Sequence, residues 1–140
     1  MKGKKFPEET KFLSLFEEGW RYLRCNRLKP TDYLVLFCLL EHLDFENWIH
    51  MSQKLIGETI GVDSSHVCHS IKRLTELEII EPKEDPFNKR RLIYRLNPAL
   101  GWKGSADKWF KCMLELSLQP NSKVKPPAIF GELLDNNQVE

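Results

Sequence analysis

Two histidines and a cysteine lie close together in residues 63–80, DSSHVCHSIKRLTELEII, and they are the first candidates for chemistry. His66, Cys68 and His69 are residue types that bind zinc, but a structural zinc site takes four ligands in a tetrahedral arrangement. On a helix, His66 and His69 share a face while Cys68 lies well away from both, and no second cluster of ligands is visible. The pattern therefore favours contact residues over a metal site, and no cofactor is predicted.

The same stretch has two chemically different faces when it is placed on a helix. At about 100° per residue, Val67, Ile71 and Leu74 share one side, so we expect them to be buried. The opposite side carries hydroxyls, imidazoles and cations, which suit phosphates and base edges. The pattern predicts a DNA-reading surface, with an ordinary solvated face as the alternative. Its predicted residues are Ser64, Ser65, His66, His69, Lys72 and Arg73.

The elements that must position this helix follow from apolar spacing and capping residues. Ser52 is expected to open the preceding helix and Gly61 to close it, since glycine accepts a left-handed helix end. From residue 30 the predicted order is helix, short strand, helix, tight turn, helix, strand, basic loop, strand. That order is typical of a winged helix-turn-helix, whose second motif helix enters the major groove. The predicted fold class is α+β, a winged helix-turn-helix with extra N-terminal and C-terminal helices.

Basic residues cluster on the hairpin between the last two predicted strands. Cations on such a wing contact the DNA backbone or the minor groove. The predicted wing contacts are Lys89, Arg90, Arg91 and Arg95. A solubilising loop is the alternative, because Glu81, Glu84 and Asp85 partly offset the charge.

Four segments are expected along the chain: an N-terminal arm and helix (1–29), the winged domain (30–100), a C-terminal helix (101–118) and a flexible tail (119–140). The two flanking helices carry more apolar surface than one small domain needs, which predicts a homodimer. Packing of the two helices within one chain is the alternative. The predicted dimerisation residues are Phe12, Phe16, Trp20, Trp109, Met113 and Leu116.

The composition limits the classes of function. The net charge is only +1 over 140 residues, so DNA affinity must come from a local patch. No apolar run approaches the roughly 18–20 residues that span a bilayer, and no signal peptide is recognisable. The four cysteines form no C-x-x-C pair, which predicts reduced thiols and a cytoplasmic protein. No phosphate-binding loop or nicking motif is present, so no enzyme is predicted.

A more specific likeness covers about residues 30–105. LDFENWIHMSQKLIGETIGVDSSHVCHSIKRLTELEIIEP, followed by YRLNPALGWKGS, resembles the winged-helix plasmid replication proteins of the RepL type. In that family an asparagine precedes a short strand and the helix-turn-helix, and an Asn-Pro pair leads into an aromatic-Lys-Gly segment. The matching positions are Asn47, Met51-Ser52, Asn97-Pro98 and Trp102-Lys103-Gly104.

The resemblance implies binding to repeated origin sites, initiation of plasmid replication or its control, and contacts with host replication proteins. Two alternatives remain open. The first is a winged-helix transcriptional regulator that binds an operator. The second is a winged-helix module that serves only protein–protein assembly, which the near-neutral charge allows.

Overall fold

Six α-helices, one 3-10 helix (Phe45–Asn47) and five strands are present in residues 13–119 and 121–138, the part of the chain that the computed structural model describes. None of these helices is long and apolar enough to cross a membrane. The helices are α1 (Glu17–Cys25), α2 (Pro30–Glu41), α3 (Gln53–Ile60), α4 (Ser64–Glu76), α5 (Ala106–Ser117) and α6 (Ala128–Gln138). The strands are β1 (Ser14–Leu15), β2 (Trp48–Ile49), β3 (Ile80–Asp85), β4 (Asn88–Leu96) and β5 (Gly101–Trp102).

The body of the fold is a winged helix-turn-helix, as predicted. Strands β2, β4 and β3 form an antiparallel sheet in that spatial order, with Trp48 opposite Arg95 and Ile80 opposite Leu96. Helix α2 packs against both α3 and α4, and its buried side chains include Val35 and Leu39. The α+β class and the order of elements are therefore confirmed.

The turn between α3 and α4 depends on two glycines. Ser52 caps α3 by accepting a hydrogen bond from the Leu55 amide at 3.1 Å. Gly61 ends the helix in the left-handed region at φ 70°, which a residue with a side chain adopts at a cost. A Cβ on Gly57 would lie 2.7 Å from the Val62 carbonyl oxygen, so the close return of the chain requires glycine there.

The N-terminal helix is shorter than its apolar spacing predicts. The sequence favours a helix over residues 8–25, but α1 begins at Glu17 because Phe16 is extended and donates a hydrogen bond from its amide to the Leu100 carbonyl at 3.0 Å. Ser14 and Leu15 instead pair with β5. The predicted dimerisation residue Phe12 lies outside the described residues.

The C-terminal helix α5 packs within its own chain, which corrects the dimerisation assignment of two residues. Trp109 and Met113 are buried, and the Trp109 ring lies 5.3 Å from that of Phe16. The indole nitrogen of Trp109 also donates a hydrogen bond to the Pro98 carbonyl at 2.9 Å. These residues therefore pack within one chain, as in the alternative. The apolar side of α5 and the residues around Phe16 contribute to the same core.

The C-terminal segment expected to be a flexible tail is folded onto the domain. Phe130 of α6 is buried and lies edge-on to Trp109, with ring centroids 6.1 Å apart. Lys123 donates hydrogen bonds from its ammonium to the Glu76 carbonyl at 2.6 Å and from its amide to the Glu78 carboxylate at 2.8 Å. The apolar AIFGELL run supplies the burial that proline and asparagine content alone did not suggest.

Candidate nucleic-acid interface

Helix α4 separates its buried and exposed residues as its sequence predicts. Val67, Ile71 and Leu74 are buried against the domain. The opposite side is open to solvent, and its exposed residues are Ser64, Ser65, His66, His69, Lys72 and, at the end of the helix, Glu76. The Ser65 hydroxyl donates a hydrogen bond to the Asp63 carboxylate at 2.7 Å, directly before the helix begins. The helix therefore presents hydroxyl, imidazole and ammonium groups along one accessible face.

Arg73 does not belong to that open face, and this corrects its predicted role. Its Nε and Nη2 donate to the two carboxylate oxygens of Asp32, both at 2.9 Å. This bidentate pair occupies the Nε–Nη2 edge of the guanidinium and fixes its orientation toward α2. Arg73 is on the flank of α4, one turn from buried Ser70, where its long side chain reaches α2. It therefore ties the recognition helix to the core.

Asp32 is completely buried, and its hydrogen-bond partners favour the charged form. Besides Arg73, it accepts hydrogen bonds from the Ser70 hydroxyl at 2.7 Å and from the Lys29 amide at 3.0 Å. Burial alone would raise its pKa, but the hydrogen bonds from Arg73, Ser70 and Lys29 outweigh it and hold the pKa of this carboxyl below its usual value. The hydrogen bond between Arg73 and Asp32 also raises the pKa of Arg73. The pair is thus a fixed ionic link between α2 and α4.

The wing presents its basic residues through an irregularity in strand pairing. Glu84 of β3 pairs with Leu92, but the next residue, Asp85, pairs with Asn88. Three residues of β4 therefore have no opposite residue on β3, and all three are exposed. They are Lys89, Arg90 and Arg91. Because the ladder is interrupted at this point, three consecutive cations are placed at the outer end of the hairpin.

These exposed cations are not neutralised within the described chain. The ion pairs found in residues 13–119 and 121–138 involve Arg73, Lys83, Lys108 and His42, and none of them involves Lys72, Lys89 or Arg90. Arg91 makes one long contact of 3.4 Å to the His50 carbonyl. A chain with a net charge of only +1 therefore has a local set of available cations on its wing and on α4.

Arg95 was predicted as a wing contact, and the structure places it at the base of the sheet instead. Its Nε donates to the Glu46 carbonyl at 3.1 Å, and its Nη2 lies 3.1 Å from the Cys112 sulfur. The guanidinium also stacks 4.9 Å from the centroid of the Trp48 ring. Arg95 holds the start of β2 and α5 to β4, so its charge is engaged within the protein.

The positions that carried the resemblance to replication proteins form a structural junction. The Asn47 side chain donates to the Leu96 and Gly101 carbonyls at 3.1 and 2.8 Å and accepts from the Lys103 amide at 2.9 Å. Asn97 donates to the Glu78 carbonyl at 2.8 Å. These residues hold the chain after β4 against the body of the fold, and none of them lies on the open face of α4.

The two histidines and the cysteine of α4 do not form a metal site with other side chains of the described residues. His66 and His69 are exposed, and Cys68 is half-buried. Among residues 13–119 and 121–138, no group of three or more histidine, cysteine, aspartate or glutamate side chains is placed to hold a metal ion.

Two residues that matter to this surface were missed by sequence analysis. Asp32 lies at the start of the apolar run of α2, and a buried acid needs a cationic partner, which was a usable signal. Phe87 at the wing tip was hidden in a loop that was interpreted only by its charge, although it is almost fully exposed.

Comparison with known proteins gives a distant likeness to solved regulator structures. A probable transcriptional regulator from Pseudomonas aeruginosa is 20% identical, with a TM-score of 0.44, and the match covers 88% of this chain and 89% of the other. The YusO protein from Bacillus subtilis is 18% identical, with a TM-score of 0.45 and coverage of 87% and 78%. BpsR of Bordetella bronchiseptica, whose DNA binding is regulated by 6-hydroxynicotinic acid, is 17% identical, with a TM-score of 0.44 and coverage of 88% and 84%.

No protein-family model and no curated protein matches the chain. The structural likenesses all fall below a TM-score of 0.5. The assignment of the winged helix-turn-helix therefore rests on the order of elements and the strand pairing, and the RepL resemblance is not confirmed.

Proposed function

We propose that this protein binds duplex DNA with sequence preference, with α4 in the major groove and the wing on the neighbouring backbone. The observation that carries the proposal is the open face of α4, where His66, His69 and Lys72 are exposed while Val67 and Leu74 are buried. A helix-turn-helix reads DNA through the second helix of the motif, which is α4 here.

The two halves of the proposed interface have different tasks. Hydroxyl, imidazole and ammonium groups on α4 read base edges, because the major groove offers a distinct pattern of donors and acceptors for each base pair. The cations of the wing contact phosphates, which adds affinity without sequence preference. The proposed base-reading residues are Ser64, Ser65, His66, His69 and Lys72, and the proposed phosphate contacts are Lys89, Arg90 and Arg91.

Regulation of transcription is the role we place first, ahead of plasmid replication. The replication role was implied by a resemblance at Asn47, Asn97 and Lys103, and these residues make the contacts of an internal junction. Contacts inside the protein support a fold in common with the replication proteins. They do not indicate binding to a replication origin or to host replication proteins. The arrangement of the bound DNA sites distinguishes the two roles.

Binding as a homodimer is part of the proposal, since two-fold dimers of this fold read two half-sites. Among the predicted dimerisation residues, Trp20 keeps 51% of its surface exposed on α1. Sedimentation of the wild type and Trp20→Ala tests this part. A dimer that dissociates in the variant is expected, and a monomeric wild type contradicts it.

The experiment for DNA binding is selection from a pool of random duplexes, followed by titration of the preferred duplex at several salt concentrations. We expect one enriched sequence and a loss of affinity with salt, with a logarithmic slope of about −0.9 for each phosphate contacted. Lys111→Ala is the matched control, because Lys111 is an exposed lysine on α5. No enrichment and no salt dependence would leave the protein–protein assembly module as the better account.

The role is tested by capturing fragments of the source DNA with the purified protein and footprinting the retained fragments. A single two-fold site over a promoter supports a regulator. An array of repeated sites beside an A·T-rich tract contradicts that order of roles and supports an initiator.

A further inference from the structure

Phe87 at the tip of the wing is the most exposed large apolar side chain in residues 13–119 and 121–138. It exposes 97% of its surface, compared with 69% for Phe45. Isolated exposed apolar residues are common on protein surfaces. Phe87 differs in its position, since it is one of the two residues, Pro86 and Phe87, that connect β3 to β4.

The turn that carries Phe87 is held in one conformation. The amide of Phe87 donates a hydrogen bond to the carboxylate of Asp85 at 2.9 Å, and Asp85 itself is buried. Pro86 fixes its own φ, and the Asn88 side chain accepts a hydrogen bond from the Arg90 amide at 3.1 Å. The aromatic ring is therefore presented outward by a hydrogen-bonded turn, so little backbone conformational entropy is lost when it inserts into a partner.

The surroundings of the ring select a polyanion as the partner. Lys89, Arg90 and Arg91 follow Phe87 almost directly and are all exposed. An apolar tip backed by three cations is poorly suited to an apolar protein groove, because the cations would lose hydration on docking. It is well suited to a nucleic-acid groove, whose phosphate walls pair with the cations while the stacked bases accept an apolar side chain.

The length of the hairpin allows the tip to reach a groove beside the one that α4 occupies. Strand β3 has six residues from Ile80 to Asp85, which span about 17 Å at a rise near 3.4 Å per residue, and the three unpaired residues of β4 add no length to the hairpin. Neighbouring major and minor grooves are separated by about half a helical turn, or roughly 17 Å along the axis.

We propose that Phe87 is a wedge that inserts between two base pairs from the minor groove and bends the duplex. Lys89, Arg90 and Arg91 neutralise the phosphates on either side of the opened step. The inference rests on the proposed binding of duplex DNA and adds to it a residue that distorts the DNA and favours easily unstacked steps.

The test uses the full chain and the selected duplex, labelled with a fluorescent pair at its ends and with 2-aminopurine at successive positions across the site. The wild type should shorten the end-to-end distance and raise 2-aminopurine emission at one step. Phe87→Ala should abolish both signals and weaken binding about tenfold. Phe87→Leu should retain most of the bend, since leucine also acts as a wedge.

Phe45→Ala is the matched control, because Phe45 is also an exposed phenylalanine but precedes β2, which pairs with the end of β4 distant from the tip. It should bend the duplex as the wild type does. A wild type that binds the duplex without bending it, or a Phe87→Ala that bends it equally, overturns the wedge alone. A wild type that binds no duplex overturns the proposed function as well, and loss of self-association in Phe87→Ala with an unchanged bend would assign the tip to a protein contact.

Discussion

Lys72 and Arg73 are neighbours in sequence on the same helix, yet they belong to two different regions of the molecule. The Lys72 side chain lies on the open face of α4, whereas the Arg73 guanidinium is locked to the buried carboxylate of Asp32. The wing repeats the contrast, since Arg90 is exposed near the tip while Arg95 is engaged at the base of the sheet. Cationic charge in a DNA-binding motif therefore serves two purposes, contact with the ligand and attachment of the contacting element to the core.

The difference follows from the partner that each side chain can reach. Arg73 lies within reach of Asp32, the buried acidic residue of α2, and a buried carboxylate with no cation would be costly. No such acid pairs with Lys72 in the described part of the chain. The comparison thus predicts that substitutions in one region affect folding, and that substitutions in the other affect DNA binding.

The largest effect is expected from Arg73→Ala, which leaves the buried Asp32 charge without its counterion. The free energy of unfolding should fall by about 3 kcal/mol, the lower end of the range for a broken buried pair, because the Arg73 side chain is 36% exposed. Lys72→Ala should change it by less than about 0.5 kcal/mol. Urea unfolding of both variants measures this. Equal, small losses would mean that the link to α2 does not hold the helix.

Acid should also weaken the Arg73–Asp32 ion pair, by protonating Asp32. The pKa of Asp32 is lower in the folded protein than its ordinary value near 3.9, so the unfolded chain takes up the proton first as pH falls. The stability that this difference provides is complete above about pH 5 and is lost as pH falls through the lower, folded pKa. In Asp32→Asn this part of the acid dependence should be absent. Identical slopes of unfolding free energy against pH in both proteins would contradict the assignment.

Lys72→Ala should reduce affinity for the selected duplex about tenfold, or about 1.4 kcal/mol, with the fold intact. The physical reason is loss of a charge-assisted hydrogen bond from the open face of α4 to a base edge or phosphate. Fluorescence anisotropy measures the affinity, and Lys111→Ala is the control. A variant that binds as tightly as the wild type would remove Lys72 from the interface.

The smallest effect is expected at the wing, where Arg90→Ala removes a single phosphate contact. Affinity should fall to a similar extent for preferred and random duplexes, and the salt slope should become shallower by about one unit. Arg95→Ala should leave the slope unchanged and lower the melting temperature, because Arg95 contacts Glu46, Trp48 and Cys112 within the protein. The reverse pattern would exchange the roles assigned to the tip and the base of the hairpin.

The sequence predicted the fold well where local pattern and tertiary packing agree. The Ser52 cap, the Gly61 helix end and the buried stripe of Val67, Ile71 and Leu74 all follow from spacing and from residue type. The inward face of α3 is less predictable, since Ile56 is buried whereas Leu55, the residue before it, is exposed. A helix of eight residues offers too few apolar positions for its inward face to be determined by periodicity alone.

The parts of the fold that the sequence did not predict depend on contacts between residues distant in sequence. Pairing of Ser14 with Trp102 and burial of Phe130 against Trp109 are long-range interactions that no local window contains. The same holds for the candidate site, where rotation about α4 placed Arg73 with Lys72. The position of Asp32, 41 residues away, decides that Arg73 is structural.

We infer that the open face of α4 and the wing contact DNA, and lysine footprinting with and without the selected duplex examines both regions in one experiment. Mass spectrometry of an amine-reactive label reports each lysine of the same protein in one experiment. We expect protection of Lys72 and Lys89 in the complex, with Lys111 equally reactive in both states. Unchanged reactivity at Lys72 and Lys89, or protection at Lys111 in their place, would contradict it.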